Sequence, residues 1–103
     1  MKIAIDFDGV IVERHGIPRE LGYTDCPPTK DCIDAVRWLK NQGHDLYIFT
    51  SREKEQWKDI QKWLRKNGLP RLPITNTKIH ATIYLDDRAI RFTTWLDFCK
   101  LFG

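Results

Sequence analysis

An α/β fold with a mainly parallel sheet is the class this sequence predicts, and three observations carry the prediction. Short apolar runs rich in β-branched or aromatic residues stand at residues 3–5, 46–49 and 82–85, and such runs suit strands buried inside a parallel sheet. Between them lie segments whose apolar residues recur at helical spacing. Each run also ends in polar side chains: Asp6 and Asp8, Thr50 and Ser51, Asp86 and Asp87. Open α/β sheets hold their ligands outside the carboxyl ends of their strands.

The opening run Ile3-Ala4-Ile5 leads into Asp6-Phe7-Asp8-Gly9. Strand alternation projects the two carboxylates the same way and turns Phe7 into the core. Gly9 permits a sharp departure of the backbone after the second acid. Two converging carboxylates repel unless a cation lies between them, and hard oxygen donors favour Mg²⁺. A surface Asp-x-Asp-Gly turn after an edge strand explains these residues alone about equally well.

Val10-Ile11-Val12 suits a short hairpin arm, and residues 13–28 read as irregular, with Gly16, Pro18, Gly22, Pro27 and Pro28. A helix is expected from Thr29 as N-cap, with Asp31 in its positive first turn. Cys32, Ala35, Val36 and Leu39 form its inward stripe, Trp38 lies off that stripe, and Gly43 stops it. Residues 44–51 give the second strand. A second helix is expected over about residues 53–67, ending at Gly68. Its apolar face is Trp57, Ile60 and Leu64 with Trp63 beside it, and its cations read as a solvated surface.

Residues 74–75 suggest a brief edge strand, 82–85 a fourth strand and 89–92 a short fifth. Thr93 or Thr94 is placed to cap a last helix, docked through Leu96, Cys99 and residues 100–102. With the first strand central, the second on one side and the Asp86-Asp87 strand on the other, the end of the first strand becomes a topological switch point.

Composition sets the outer bounds. At 103 residues the chain suits one domain, 1–103, large enough for a three-layer core. No run approaches the roughly 18 apolar residues of a membrane span. The stretch after Lys2 is broken by Asp6 and Asp8, unlike a signal peptide, so a cytoplasmic location is expected. Cys26, Cys32 and Cys99 are odd in number and lack ligand spacing, which argues for reduced thiols. His15, His44 and His80 are scattered, which argues against zinc. The net charge of +3 does not by itself argue for nucleic acid.

The opening motif resembles that of the haloacid-dehalogenase-like (HAD) phosphohydrolases, an apolar strand followed by Asp-x-Asp-Gly-Val or -Thr. That family continues with a strand ending in Thr or Ser, then a Lys, then paired acids. Here those positions hold Thr50, Lys78 and Asp86-Asp87, so the likeness spans nearly the whole chain. It implies a three-layer α/β/α Rossmannoid hydrolase. Asp6 would be the nucleophile that forms an aspartyl-phosphate, and Asp8 the general acid and base. Thr50 would donate its hydroxyl to a phosphoryl oxygen, a place Ser51 also suits, and Lys78 would neutralise charge. Mg²⁺ would be held by Asp6, the Asp8 main-chain carbonyl, and Asp86 or Asp87.

Two features depart from the usual family plan. No cap domain is visible, since both intervals where one would be inserted are short. Lys78 precedes the acid pair by only eight residues, with Lys30 and Lys54 as fallback cations. Thr50-Ser51-Arg52-Glu53 with Asp86-Asp87-Arg88 further resembles polynucleotide 3′-phosphatases, in which the Arg corresponding to Arg52 helps hold substrate.

The leading expectation is a capless Mg²⁺-dependent phosphatase acting on a phosphorylated small molecule or nucleotide. The alternatives are a nucleotide or nucleic-acid-end phosphatase using Arg52 and the basic second helix, and a non-catalytic phosphate-binding module. No membrane partner is expected, and self-association would offer a lid to an otherwise open site. The loop of residues 15–28 is the chain's own candidate flap, with Tyr23 or its neighbours bordering the site.

Overall fold

The computed structural model describes residues 1–18, 21–77, 83–86 and 90–102. The elements in order are β1 (Lys2–Asp6), α1 (Cys32–Asn41), β2 (Asp45–Phe49), a 3₁₀ turn (Lys54–Gln56), α2 (Trp57–Lys66), β3 (Ile74–Thr75), β4 (Ile83–Asp86), β5 (Ile90–Arg91) and α3 (Trp95–Lys100). The strands form one sheet in the order β3-β2-β1-β4-β5, and every pairing is parallel. This is an α/β fold, and no cap domain interrupts the described residues.

The register follows from the apolar pattern. Ile5 of β1 lies opposite Ile48 on one side and Leu85 on the other. A slip of one residue would turn these buried side chains to the opposite face. β1 is therefore held centrally by apolar matches on both flanks, and the chain leaves it towards β2 on one side and β4 on the other. Its carboxyl end is the expected switch point.

Phe7 is fully buried and meets Tyr23 and Trp63 edge-on, at centroid distances of 5.0 and 5.5 Å. Each such ring pair adds about 0.5–1.5 kcal/mol beyond the area it buries. The turn after Asp8 is tight: Gly9, at φ 85°, donates its N–H to Val12 O, while Ile11 and Val12 both donate to Phe7 O. Val12 bridges Pro28 antiparallel, so the loop between them is closed at its base.

Several local expectations change in the folded chain. Thr29 is not the cap of α1. It is buried, donates its hydroxyl to Val10 O at 2.6 Å and accepts the Trp95 indole N–H at 2.9 Å. Asp31 takes the N-cap position in a left-handed conformation, with no side-chain cap bond. α2 begins at Trp57 after the 3₁₀ turn, and Trp63 lies inside its buried face with Ile60 and Leu64, whereas Trp57 is only half-buried. Leu96 is 62% exposed; Trp95 and Phe98 carry the docking of α3, with the expected Cys99 and Phe102 packed half-buried beside them. Thr94, one of the two expected caps, accepts from the Asp97 N–H at 3.1 Å.

Candidate active site

Asp6 is the last residue of β1, and Asp8 follows on the tight turn. The register sets Asp6 opposite Phe49, so the segment after β2 begins at the level of the two acids. Leu85 pairs with Ile5, which brings the Asp86 backbone to the same level from the other side. Asp6, Asp8, Gly9, Arg14, Ser51 and Arg52 face a common cavity of about 570 Å³.

Asp8 is gripped by arginines. Arg52 donates from Nε to Oδ2 at 2.9 Å and from Nη2 to Oδ1 at 2.8 Å, a two-pronged fork onto the carboxylate. Its third arm donates to Gln56 Oε1 at 3.1 Å. The guanidinium lies over the Tyr23 ring, 4.6 Å from its centroid. Tyr23 in turn rests on Phe7 and Trp63. The hydrophobic core thus supports Tyr23, Tyr23 supports Arg52, and Arg52 orients Asp8.

The bond to Asp8 raises the Arg52 pKa above its ordinary value and outweighs the opposing effect of burial. Burial is also the main reason the Tyr23 phenol titrates above its usual value, against the pull of Arg52.

A second arginine closes the cluster. Arg14 Nε lies 3.6 Å from Asp8 Oδ1, and its other nitrogens donate to Gly22 O, Leu21 O and Pro18 O at 2.6, 2.9 and 3.2 Å. With its side chain only 10% exposed, Arg14 is the internal anchor of the loop above the site. The loop does border the site, as expected of Tyr23 and its neighbours.

Thr50 is 1% exposed, and its hydroxyl accepts the Arg52 backbone N–H at 3.1 Å, setting the turn that delivers Arg52. Ser51 faces the cavity. Lys78 and Asp87 lie outside the described residues. Among the described residues no cluster of three His, Cys, Asp or Glu side chains is assembled.

Arg14 and Gln56 were not anticipated from the sequence. Arg14 stands in an irregular segment where no periodicity marks it, and only its six-residue distance from Asp8 hinted at proximity. Arg52 was anticipated for a substrate phosphate; its bond to Asp8 was not.

Strand-end carboxylates at a switch point, with two arginines converging on one of them, mark this end of the α/β sheet as the candidate site. No family model matches the chain. It is 37% identical over 51 residues to a protein of Bacillus cereus named "Putative nucleotidase", a match covering 50% of this chain and 27% of the relative. A protein of the same description from Oceanobacillus iheyensis is 36% identical over 51 residues, with the same shares covered. The chain thus spans about a quarter of the length of the curated relatives it matches. Among solved structures, a conserved protein from Bacteroides thetaiotaomicron superposes with a TM-score of 0.76 at 24% identity, covering 99% of this chain and 88% of that one. That likeness is one of fold. No helix among the described residues is long and apolar enough to cross a membrane.

Proposed function

We propose that this chain is a HAD-like phosphohydrolase that cleaves phosphomonoesters, nucleotides foremost, through an aspartyl-phosphate on Asp6. The supporting observation is the meeting of Asp6 and Asp8 in one cavity at the end of the central strand, with Arg14 and Arg52 beside them. The name shared by the two partial relatives favours nucleotides.

In the first step a carboxylate oxygen of Asp6 attacks phosphorus and the bond to the leaving oxygen breaks. Protonated Asp8 gives its proton to that leaving alkoxide. In the second, the Asp8 carboxylate takes a proton from water, whose oxygen attacks the phosphorus and releases phosphate from Asp6. General acid–base help of this kind is worth about 10²–10⁴-fold in rate. Arg52 holds Asp8 in place and offers the incoming phosphate a planar cation. Ser51 and the Thr50 hydroxyl supply donors, and Lys78 further positive charge, by pre-placed electrostatics.

The donors present suit Mg²⁺, being carboxylate and carbonyl oxygens rather than thiolate or imidazole. Asp6, the Asp8 main-chain carbonyl, and Asp86 or Asp87 would hold it. The arginine fork occupies both oxygens of the Asp8 side chain, so Arg52 has to pass from Asp8 to the incoming phosphate before Asp8 carries and gives a proton. When bound, the ion neutralises charge between the anionic nucleophile and the anionic phosphate.

The test is a panel of phosphomonoesters and mononucleotides, assayed with Mg²⁺ and with chelator, on wild type and Asp6→Asn. Wild type should turn over only with the ion. The Asn variant should lose turnover while staying folded, since its amide is nearly isosteric with the carboxylate but cannot attack phosphorus. Full activity in a folded Asn variant overturns the proposal.

A further inference from the structure

A second depression, of about 950 Å³, lies along α2 and the connection into β3. Its wall carries Lys58, Lys62, Arg65 and Arg71, and no acidic residue lines it. Four cations with no acid among them make the potential of this wall locally positive. None of the four forms an ion pair with another described residue. Glu55 and Asp59 neighbour these cations in sequence, but neither lines the groove nor forms an ion pair with them.

Apart from Gln61, the rest of the groove is apolar. Leu64, Leu69, Pro73 and Ile74 line it, and the half-buried Trp57 stands at one end. The Trp57 indole N–H donates to the Arg52 carbonyl at 3.1 Å, which restrains the ring. Lys58, Lys62 and Arg65 follow at i, i+4 and i+7 and span about 10 Å along the helix. A fixed aromatic ring beside a track of cations fits bases that stack while their phosphates follow the charge. An acidic peptide would use the cations and leave the ring and the apolar wall without a role.

The groove also adjoins the catalytic cavity. Gln56 lines the cavity and Trp57, the next residue, lines the groove, so one turn forms the wall between them. We propose that this groove binds single-stranded nucleic acid and presents a phosphate-bearing end of the strand to the cavity containing Asp6 and Asp8. The binding stands on the groove alone; the presentation rests on the phosphohydrolase reading.

Fluorescence anisotropy with a labelled oligothymidylate tests the binding, on full-length wild type, Asp6→Asn and the exposed double variant Lys62→Glu/Arg65→Glu. If all four cations engage phosphates, the logarithm of affinity falls with the logarithm of salt at a slope of about −2.8, roughly 50-fold weaker at 200 than at 50 mM. The double variant should bind at least tenfold more weakly with a shallower slope, and circular dichroism should show it folded. Asp6→Asn should bind as wild type does.

Absence of wild-type binding at low salt overturns the proposal, as does equal affinity for duplex DNA or polyglutamate, or a double variant that binds normally. Release of phosphate from a 3′- or 5′-phosphorylated oligonucleotide tests presentation, with a mononucleotide as comparator. The double variant should lose activity on the oligonucleotide selectively. Tight binding without hydrolysis of either substrate would refute the phosphohydrolase reading and leave the binding surface standing.

Discussion

Asp8 is held by two arginines, each of which ties it to a different part of the chain. Arg52 brings it the support of Tyr23 and the core, and Arg14 connects it to the loop above. Replacing Arg52 by Met removes both prongs, while Lys keeps the charge without the fork. A hydrogen bond to a charged group is worth about 1.5–3 kcal/mol, and counting the fork as one such interaction the Met variant should lose roughly 10–100-fold in kcat/KM, with Lys restoring only part. Stability should fall by about 1 kcal/mol or less, because the Asp8 side chain is 35% exposed and water can take over its solvation. Steady-state kinetics and urea titration separate the two effects. Wild-type kcat/KM in the Met variant would remove Arg52 from the reaction.

The loop between Val12 and Pro28 behaves as an element although its described residues contain no helix or strand. Its base is closed by the Val12–Pro28 bridge and its interior is pinned by three carbonyl bonds to Arg14. Tyr23 is its foothold in the core. Arg14→Met would release those carbonyls without touching the sheet, so opening should be local rather than global. Limited proteolysis should cut the variant within the loop at least several-fold faster than wild type, with thermal melting lowered by only a few degrees. KM should rise as the cavity loses a cation and its cover. Unchanged cleavage with a large drop in melting temperature would mean Arg14 serves the whole fold rather than the loop.

At the scale of the molecule, the all-parallel sheet raises two carboxylates out of its most buried strand and spreads their support over distant segments. The core beneath has its own pH signature. Burial pushes the Cys32 thiol from 9.0 up to about 12, against a smaller opposing effect of the Thr29 hydrogen bond. Between these values the unfolded chain releases this proton while the folded chain keeps it. The thiol's contribution is therefore complete below pH 9.0 and is lost as pH rises towards 12, at up to about 1.4 kcal/mol per pH unit. Tyr23, also raised by burial, acts in the same direction above pH 10.0. Urea midpoints should fall with alkalinity, and Cys32→Ala, less stable at neutral pH, should show a flatter slope just above pH 9.0. An equally steep slope in the Ala variant would assign the effect to other groups.

The sequence by itself determined the class of fold, the central place of β1 and the strand ends that carry polar groups. These are written locally: apolar runs of strand length, a two-residue alternation that buries Phe7, and acids placed where such strands must end. It also indicated a helix after residue 29 and another after Arg52, because helical spacing is a local property. Which face turns inward was less legible. Leu96 with Cys99 and Trp95 with Phe98 are equally good i, i+3 pairs. Only the folded chain, with Thr29 buried to receive the Trp95 indole, decided for the second. The grip on Asp8 also belongs to tertiary structure, since Arg52 lies 44 residues away and arrives through strand order and the Thr50 turn. Periodicity reports the neighbours a residue has along its own element. It cannot report the partner that another element brings across a strand end, and there the candidate site is assembled.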